Sequence, residues 1–329
     1  ICSSLRIHAG SLPVRYLGLP LDSKRLSAMD CKCLSLKLVD KIQSWTSKCL
    51  SYSGRLQLIQ ATLLGIQNFW INNAFIPKAT MLECEKIMRV FLWSSSTAKR
   101  RAKDSWATIC TPKAEGGLGL RRVVDCNRAA MLRLIWDIFK DRQSLWSLSI
   151  TWKCLLDLRA QASANLVYSI GNGSFWSIWY DPWFQSTSLV TRLGYRAIYE
   201  SGLSRNATLS KVISDSAWNW LANVRQLREI SNACVDIPIG QCDVIDWQVK
   251  GRSFSFKSAW EAIRAPHPEV PWAKIVWFPG AIPKHSFCLW LSFHRAHNTM
   301  DKMQRLGFVQ SSQCPFNCGQ DESLNHLFF

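Results

Sequence analysis

The sequence predicts an α+β protein, with a mainly helical N-terminal third, a mixed middle containing tryptophan-rich β-hairpins, and a small α+β C-terminal piece. Apolar residues recur at steps of three and four in the first third, alternate around an Asn-Gly pair in the middle, and return to helical spacing near the end. With 48% hydrophobic and 19% charged residues, the composition is typical of a globular chain. We expect three regions, residues 1–120, 121–245 and 246–329.

The N-terminal third is predicted to contain three helices. Amphipathic periodicity indicates one across residues 30–50 and a second from Leu56 to Trp70. Thr80 and Glu83 have the spacing of a capping box, which predicts that the third helix begins at Thr80.

The middle of the chain is predicted to change from helices to strands. Asp125 is expected to cap a further helix. Beyond about residue 160, Asn172 and Gly173 tolerate the positive φ of a type I′ turn, which predicts a hairpin between the apolar runs on either side. A short helix is predicted around Trp218 and Leu221.

The C-terminal piece is predicted to combine a hairpin with helices. The hairpin turns near Gly251, between residues 244–249 and 253–256. Helices are predicted over residues 257–264 and 283–297, and from an Asn298/Thr299 cap to Gly307.

The chain is strongly basic, with 40 lysines and arginines against 23 acidic residues and a net charge of +17. Residues 1–120 contribute most of the excess, with 17 basic and 7 acidic side chains. Such a charge favours a polyanionic partner, with nucleic acid first and an acidic membrane second, although a merely solvated surface stays open. The longest uncharged stretch, residues 56–77, contains six Gln and Asn residues, so no membrane span is expected.

The 13 cysteines are odd in number and follow no regular spacing, so most are expected to be buried free thiols in a reducing compartment. The 17 tryptophans mostly fall at helical or alternating positions and are expected in the core.

Cys314, Cys318 and His326 form the best candidate metal site, with the spacing C-x3-C-x7-H. Thiolates and imidazoles are the usual ligands of zinc, but a structural zinc normally takes four of them. From spacing alone, a metal site and three ordinary residues stay open as alternatives. His285, His294 and His297 are expected to be surface or capping residues, because no cysteine or carboxylate lies beside them in sequence.

A basic run is the best candidate for contact with a nucleic-acid backbone. It follows the third helix and consists of Lys99, Arg100, Arg101 and Lys103. The glycine-rich segment EGGLG at residues 115–119 comes next. It is predicted to be a structural turn rather than a phosphate-binding loop, because no recognisable strand leads into it.

No catalytic constellation is found in the sequence. There is no Tyr/Phe-X-Asp-Asp pair for a two-metal polymerase centre, no GxxxxGK[ST] phosphate loop and no HExxH motif. The sequence identifies no small-molecule substrate.

Several segments in one order resemble plant LINE-type (non-LTR) retrotransposon reverse transcriptases downstream of the polymerase palm. The matching segments are LPVRYLGLPL at 12–21, SW at 44–45, LSYSGRLQLI at 50–59, FLW at 91–93, PKAEGGLGL at 112–120, IGNG at 170–173, WYDPW at 179–183, FKSAW at 256–260 and PKHSFCLW at 283–290. The resemblance ends in the reverse-transcriptase zinc-binding domain, whose ligands match Cys314, Cys318 and His326. It is weakest over residues 185–240.

The resemblance implies a non-catalytic part of such an enzyme. Residues 1–120 would be similar to the thumb and connection that hold the primer–template, and residues 246–329 to the zinc-binding domain that contacts RNA template or target DNA. Zinc is implied as the cofactor, RNA and DNA as the partners, and the nucleus as the location. The catalytic aspartates of the family lie upstream of the matched region.

The family pattern also differs from this sequence at the metal site. Its ligand set closes with a cysteine shortly after the His-Leu-Phe-Phe run, and its first gap is C-x2-C. Because the sequence begins at Ile1 and stops at Phe329, we expect a fragment or a decayed copy of something larger, with an incomplete zinc site. A rival interpretation is an inert or repurposed interaction protein that binds neither nucleic acid nor metal.

Overall fold

The computed structural model describes residues 14–16, 18–21, 26–45, 50–93, 103–140, 158, 161–215, 217–220, 225–248 and 252–328. The chain divides into two compact units. We call residues 1–127 with 265–329 the split unit and residues 128–264 the inserted unit. The three sequence regions with boundaries at 120 and 245 stay a prediction.

The predicted α+β class is confirmed: most elements are helices, and the sheets are small and antiparallel. The described helices of the split unit are α1 (Lys32–Gln43), α2 (Tyr52–Leu58), α3 (Leu64–Asn73), α4 (Lys78–Trp93), α5 (Trp106–Ile109), α11 (Ala273–Val276), α12 (Pro283–Phe293), α13 (Met300–Arg305) and α14 (Leu324–Phe328). Strands β1 (Val14–Tyr16) and β2 (Leu19–Leu21) pair antiparallel. Helix α6 (Val123–Lys140) begins in this unit and continues in the inserted unit.

The second predicted helix is confirmed, and the first is confirmed in part, because it ends at Gln43 and leaves Trp45 outside the helix. The one predicted over residues 30–50 is α1, whose buried Leu34 and Leu38 lie one turn apart. The second consists of α2 and α3, joined by a π-helical turn at Ile59–Leu63. Both end residues of this turn are fully buried, so apolar packing continues through it.

The capping box predicted at Thr80 and Glu83 is wrong. Helix α4 already begins at Lys78, because the carbonyl of Pro77 accepts a helical hydrogen bond from the Met81 amide at 3.2 Å. Thr80 therefore lies within the first turn, where its side chain is buried. The capping-box spacing of Thr80 and Glu83 therefore did not identify the first residue of the helix.

Asp125 does not cap the next helix either, since α6 begins two residues earlier at Val123. Its first turn is capped from another helix: Glu85 Oε1 of α4 accepts the Val123 amide at 2.9 Å, and Arg122 Nη2 lies 3.6 Å from Oε2. Burial raises the pKa of the Glu85 carboxyl, against the opposing effects of Arg122 and the amides of Val123 and Val124.

In the inserted unit, the described elements beyond α6 are β3 (Leu166–Ser169), α7 (Leu189–Leu193), α8 (Arg196–Ser201), β4 (Ile213–Ser214), β5 (Ala217–Trp218), α9 (Arg225–Cys234), β6 (Val244–Trp247) and α10 (Phe256–Ile263). The hairpin predicted at Asn172–Gly173 is wrong, because β3 pairs antiparallel with the distant β6.

The Asn-Gly segment forms a loop around a carboxylate instead. The amides of Gly171, Gly173 and Phe175 donate to the two oxygens of Asp243 at 2.7, 3.0 and 2.8 Å. Gly173 does adopt a positive φ of 68°, and a Cβ on Gly171 would lie 2.1 Å from the carbonyl carbon of Cys242. The two glycines therefore allow the loop to pack against Cys242 and Asp243, which are distant in sequence.

Two other predictions in this unit differ from the structure. Trp218 lies in β5 rather than in a short helix, and Leu221 lies outside the described residues. The second predicted hairpin is found only in part: the Trp247 amide donates to the Arg252 carbonyl at 2.7 Å across the expected turn, but the described residues after the turn form no strand, β6 pairs with β3, and α10 begins at Phe256. Gly251 is outside the described residues.

The C-terminal helices are confirmed in outline. Helix α10 matches residues 257–264 closely, and α12 ends at Phe293, four residues before the predicted end. Helix α13 follows Thr299 and ends before Gly307, which has a φ of 74°.

The predicted burial of tryptophans and cysteines is confirmed for the described residues. Eleven tryptophans are buried, and ten cysteines are free thiols, six of them buried. Burial raises the pKa of Cys31 to about 11 and that of Cys84 to about 12, so these thiols stay protonated at neutral pH. None of the described helices is long and apolar enough to cross a membrane.

Asn127 should be a strong determinant of stability. Its amide donates to the carbonyls of Ile71 and Ala74 at 2.9 and 2.8 Å, and its oxygen accepts the Ile76 amide at 3.3 Å. Asn127→Ala leaves these backbone groups unsatisfied, so we expect a loss of about 2–4 kcal/mol in the free energy of unfolding, measured in urea. The exposed Asn73→Ala is the control, and equal effects of the two substitutions would refute this role.

Glu85 should make stability depend on pH. Its folded-state pKa is raised, so the native state binds more protons, and the free energy of unfolding falls as pH rises above the unfolded value of about 4.3. Glu85→Gln should remove this fall, whereas the exposed Glu83→Gln should retain it. Urea titrations between acid and neutral pH measure the difference, and a parallel pH profile for Glu85→Gln would contradict the expectation.

Candidate metal centre

Cys314 and Cys318 lie on a tight loop near the end of the chain. The Cys314 amide donates to the carbonyl of Gln320 at 2.9 Å, and the Asn317 amide donates to the carbonyl of Cys314 at 3.0 Å. Asn317 has a φ of 53°, in the left-handed region that asparagine tolerates better than most residues. The loop thus accommodates the third residue between the cysteines.

His326 faces this loop from α14. Ser323 stands immediately before the helix, and its hydroxyl accepts the His326 amide at 3.2 Å. This local cap directs the imidazole to Cys318, with Nε2 lying 3.1 Å from Sγ.

The three side chains predicted as metal ligands are brought together. The nearest ligand atoms of Cys314, Cys318 and His326 all lie within 4.8 Å of one another. Zinc bonds of about 2.0–2.3 Å place tetrahedral ligand atoms roughly 3.5 Å apart, so one ion could contact all three after small adjustments. Two sulfurs and one imidazole nitrogen are donors that suit zinc, and they leave one coordination position for water or another group.

The base of the loop is connected to α13. Ser312 Oγ donates to Asp321 Oδ1 at 2.6 Å, and the Glu322 amide donates to the Ser312 carbonyl at 2.8 Å. The Asp301 amide in the first turn of α13 donates to the Glu322 carbonyl at 3.2 Å. A metal on the cysteines and His326 would therefore reinforce an existing junction between the loop, α13 and α14.

The other histidines of this region have structural partners. His294 Nδ1 lies 2.7 Å from Asp104 Oδ2, and its Nε2 lies 3.0 Å from the Gly116 carbonyl. His297 Nε2 lies 3.0 Å from the Cys288 carbonyl. His285 is exposed, and His294 is the C-cap residue of α12, so both agree with the expected surface or capping role. Among the described residues, the cluster at Cys314, Cys318 and His326 is the one that could hold a metal.

The glycine-rich segment at 115–119 is a structural turn, as predicted. Gly116 accepts hydrogen bonds from Trp290 Nε1 at 2.8 Å and from His294 Nε2 at 3.0 Å. A Cβ on Gly117 would lie 2.1 Å from the Thr111 carbonyl oxygen. Close packing therefore explains Gly117, and a φ of 90° explains Gly116.

The predicted basic run is described only at its end. Lys99, Arg100 and Arg101 lie outside the described residues. Lys103 Nζ lies 5.2 Å from the centre of the Tyr52 ring, and the Arg55 guanidinium lies 5.9 Å from the same ring. Sequence reasoning missed Arg55, because a lone arginine far from the run carries no local signal.

Two comparisons with known proteins agree with this geometry. Residues 254–329 match the family described as zinc-binding in reverse transcriptase, and this match contains all three cluster residues. An Arabidopsis thaliana protein provisionally named a ribonuclease H protein is 23% identical over 351 residues, covering 94% of this chain and 55% of its own length. The chain thus spans about half of that relative. Together the matches indicate a retroelement-related protein with a reverse-transcriptase zinc-binding domain.

Removing a cluster ligand should abolish metal binding. We expect the full chain to bind one zinc, and Cys318→Ala and His326→Ala each to lose it, because two remaining ligands hold zinc far less tightly. Cobalt(II) substitution gives a second readout, since thiolate coordination produces a charge-transfer absorption. Cys242→Ala, which removes an exposed thiol outside the cluster, should bind like the parent. Unchanged zinc content in both ligand variants would refute the site.

Proposed function

We propose that this chain is a non-catalytic, C-terminal portion of a plant LINE-type (non-LTR) reverse transcriptase, and that it binds the RNA and DNA of a template–primer. The observation that carries the proposal is the cluster of Cys314, Cys318 and His326 inside the match to the zinc-binding domain. The order of family-like segments along the rest of the chain supports the finer assignment.

The charge supports a nucleic-acid partner. A net charge of +17 attracts the phosphate backbone without regard to base sequence, and neutralised phosphates release their counterions. We therefore propose nonspecific contacts to the backbone, in which Lys99, Arg100, Arg101 and Lys103 take part.

The proposed role of the metal is structural. When bound, zinc would supply folding free energy by joining the Cys314–Cys318 loop to α14. The chain's own hydrogen bonds to α13 then hold this junction in place. We assign no polymerase step to this chain, because its sequence contains no paired-aspartate motif.

Binding to nucleic acid should weaken steeply with salt. We expect the affinity of the full chain for duplex DNA and for an RNA–DNA hybrid to fall as salt rises from low to physiological concentration. Reversing Lys99, Arg100, Arg101 and Lys103 to Glu should lower the slope of log Kd against log salt by about 0.9 for each lost contact. Fluorescence anisotropy measures both quantities.

The matched control reverses four exposed cations of the inserted unit, Arg192, Lys211, Arg228 and Arg252. It carries the same change in net charge, so a difference between the variants reports the location of the contacts. If the parent chain does not bind, or if its binding is independent of salt, the inert interaction protein is the better interpretation.

A further inference from the structure

We propose that two adjoining grooves of the split unit, lined by α2 and by residues 277–291, bind one single strand of nucleic acid. This inference rests on the proposed nucleic-acid-binding function and goes further by naming the strand class and the residues. It concerns a surface separate from the metal cluster.

The first groove is a basic and aromatic surface. It encloses about 260 Å³ and is lined in part by Tyr52, Arg55 and Lys284. The Tyr52 ring stacks on Phe287 at 5.9 Å, and Lys103 Nζ lies 5.2 Å above the same ring. Three cations from distant parts of the sequence thus lie at or beside one groove.

The second groove adjoins the first, because the two grooves share lining residues. It encloses about 160 Å³, and it has Ser53 and Phe287 in common with the first groove. Lys113 lines it and places Nζ 4.5 Å from the centre of the Trp277 ring. Phe278 also lines it and is 55% exposed.

The charge of this surface identifies an anionic ligand. Arg55, Lys284 and Lys113 line the grooves, and no acidic side chain does so among the described residues. Since the two grooves adjoin, the cations are spread along an extended surface and are not concentrated at a single position. A chain of phosphodiesters fits such a surface better than a single small anion.

The aromatic residues favour a single strand over a duplex. A base of a single strand can stack on an open aromatic ring, and cations beside the ring can bind the phosphates on either side. In a duplex the bases are already stacked and paired, so Phe278 would gain no base. Gln57, exposed in the second groove, adds an amide that can hydrogen-bond to a base or a sugar.

Two variants of the full chain test the two parts of the site. Phe278→Ala should weaken binding of a fluorescein-labelled deoxythymidine oligonucleotide roughly tenfold, because it removes one stacking ring. The same change should leave binding of a labelled DNA hairpin duplex unaltered. Lys284→Gln should lower the salt slope of single-strand binding by about 0.7, the value for one lost phosphate contact.

The controls match each change in type and exposure. Phe308→Ala removes a phenylalanine that is 62% exposed in the same unit but lies outside both grooves. Lys86→Gln removes one exposed cation from α4. Circular dichroism checks that all four variants fold like the parent.

The outcomes separate this inference from the function on which it rests. If the parent chain binds neither oligonucleotide, the proposed function itself fails. If the parent binds both but Phe278→Ala and Lys284→Gln behave like their controls, the grooves are not the site. Equal losses for the single strand and the duplex on Phe278→Ala would overturn the assignment to single strands.

Discussion

The carbonyl group of Gly116 is the contact on which the rest of the split unit depends. It accepts hydrogen bonds from Trp290 and His294, which stand at the end of α12 and just beyond it. His294 Nδ1 also lies 2.7 Å from Asp104 Oδ2. One backbone oxygen thereby joins the N-terminal residues of the unit to its C-terminal residues.

The other features of this unit follow from that junction. Helix α12 supplies Lys284 and Phe287 to the first groove, and Phe287 stacks on Tyr52 of α2. Beyond α12 the chain enters α13. The Asp301 amide in the first turn of α13 donates a hydrogen bond to the Glu322 carbonyl, and this bond connects α13 to the segment that follows the loop of Cys314 and Cys318. The candidate metal centre and the basic grooves are therefore built on the same scaffold while using different residues.

Two of the sequence-based errors have one physical origin, which is competition from partners far along the chain. Asn172 and Gly173 have the local chemistry of a hairpin turn, but Asp243 offers its carboxylate to three amides of that loop. Likewise, Asp125 has the local chemistry of a helix cap, but the helix begins at Val123 and the carboxylate of Glu85 accepts the Val123 amide. Local rules identify residues able to adopt a conformation, and a buried tertiary hydrogen bond decides which one is adopted.

The sequence by itself determined the helical periodicity of α1 to α4, the core positions of most tryptophans, the basic charge, and the three candidate ligands near the end. These properties depend on spacings of a few residues, so a linear sequence contains them in full. Only the tertiary structure decided the pairing of β3 with β6, the cap on α6, and the grouping of Arg55, Lys113 and Lys284. Those contacts join residues that are distant in sequence, and their formation depends on the packing of the whole unit rather than on any local pattern.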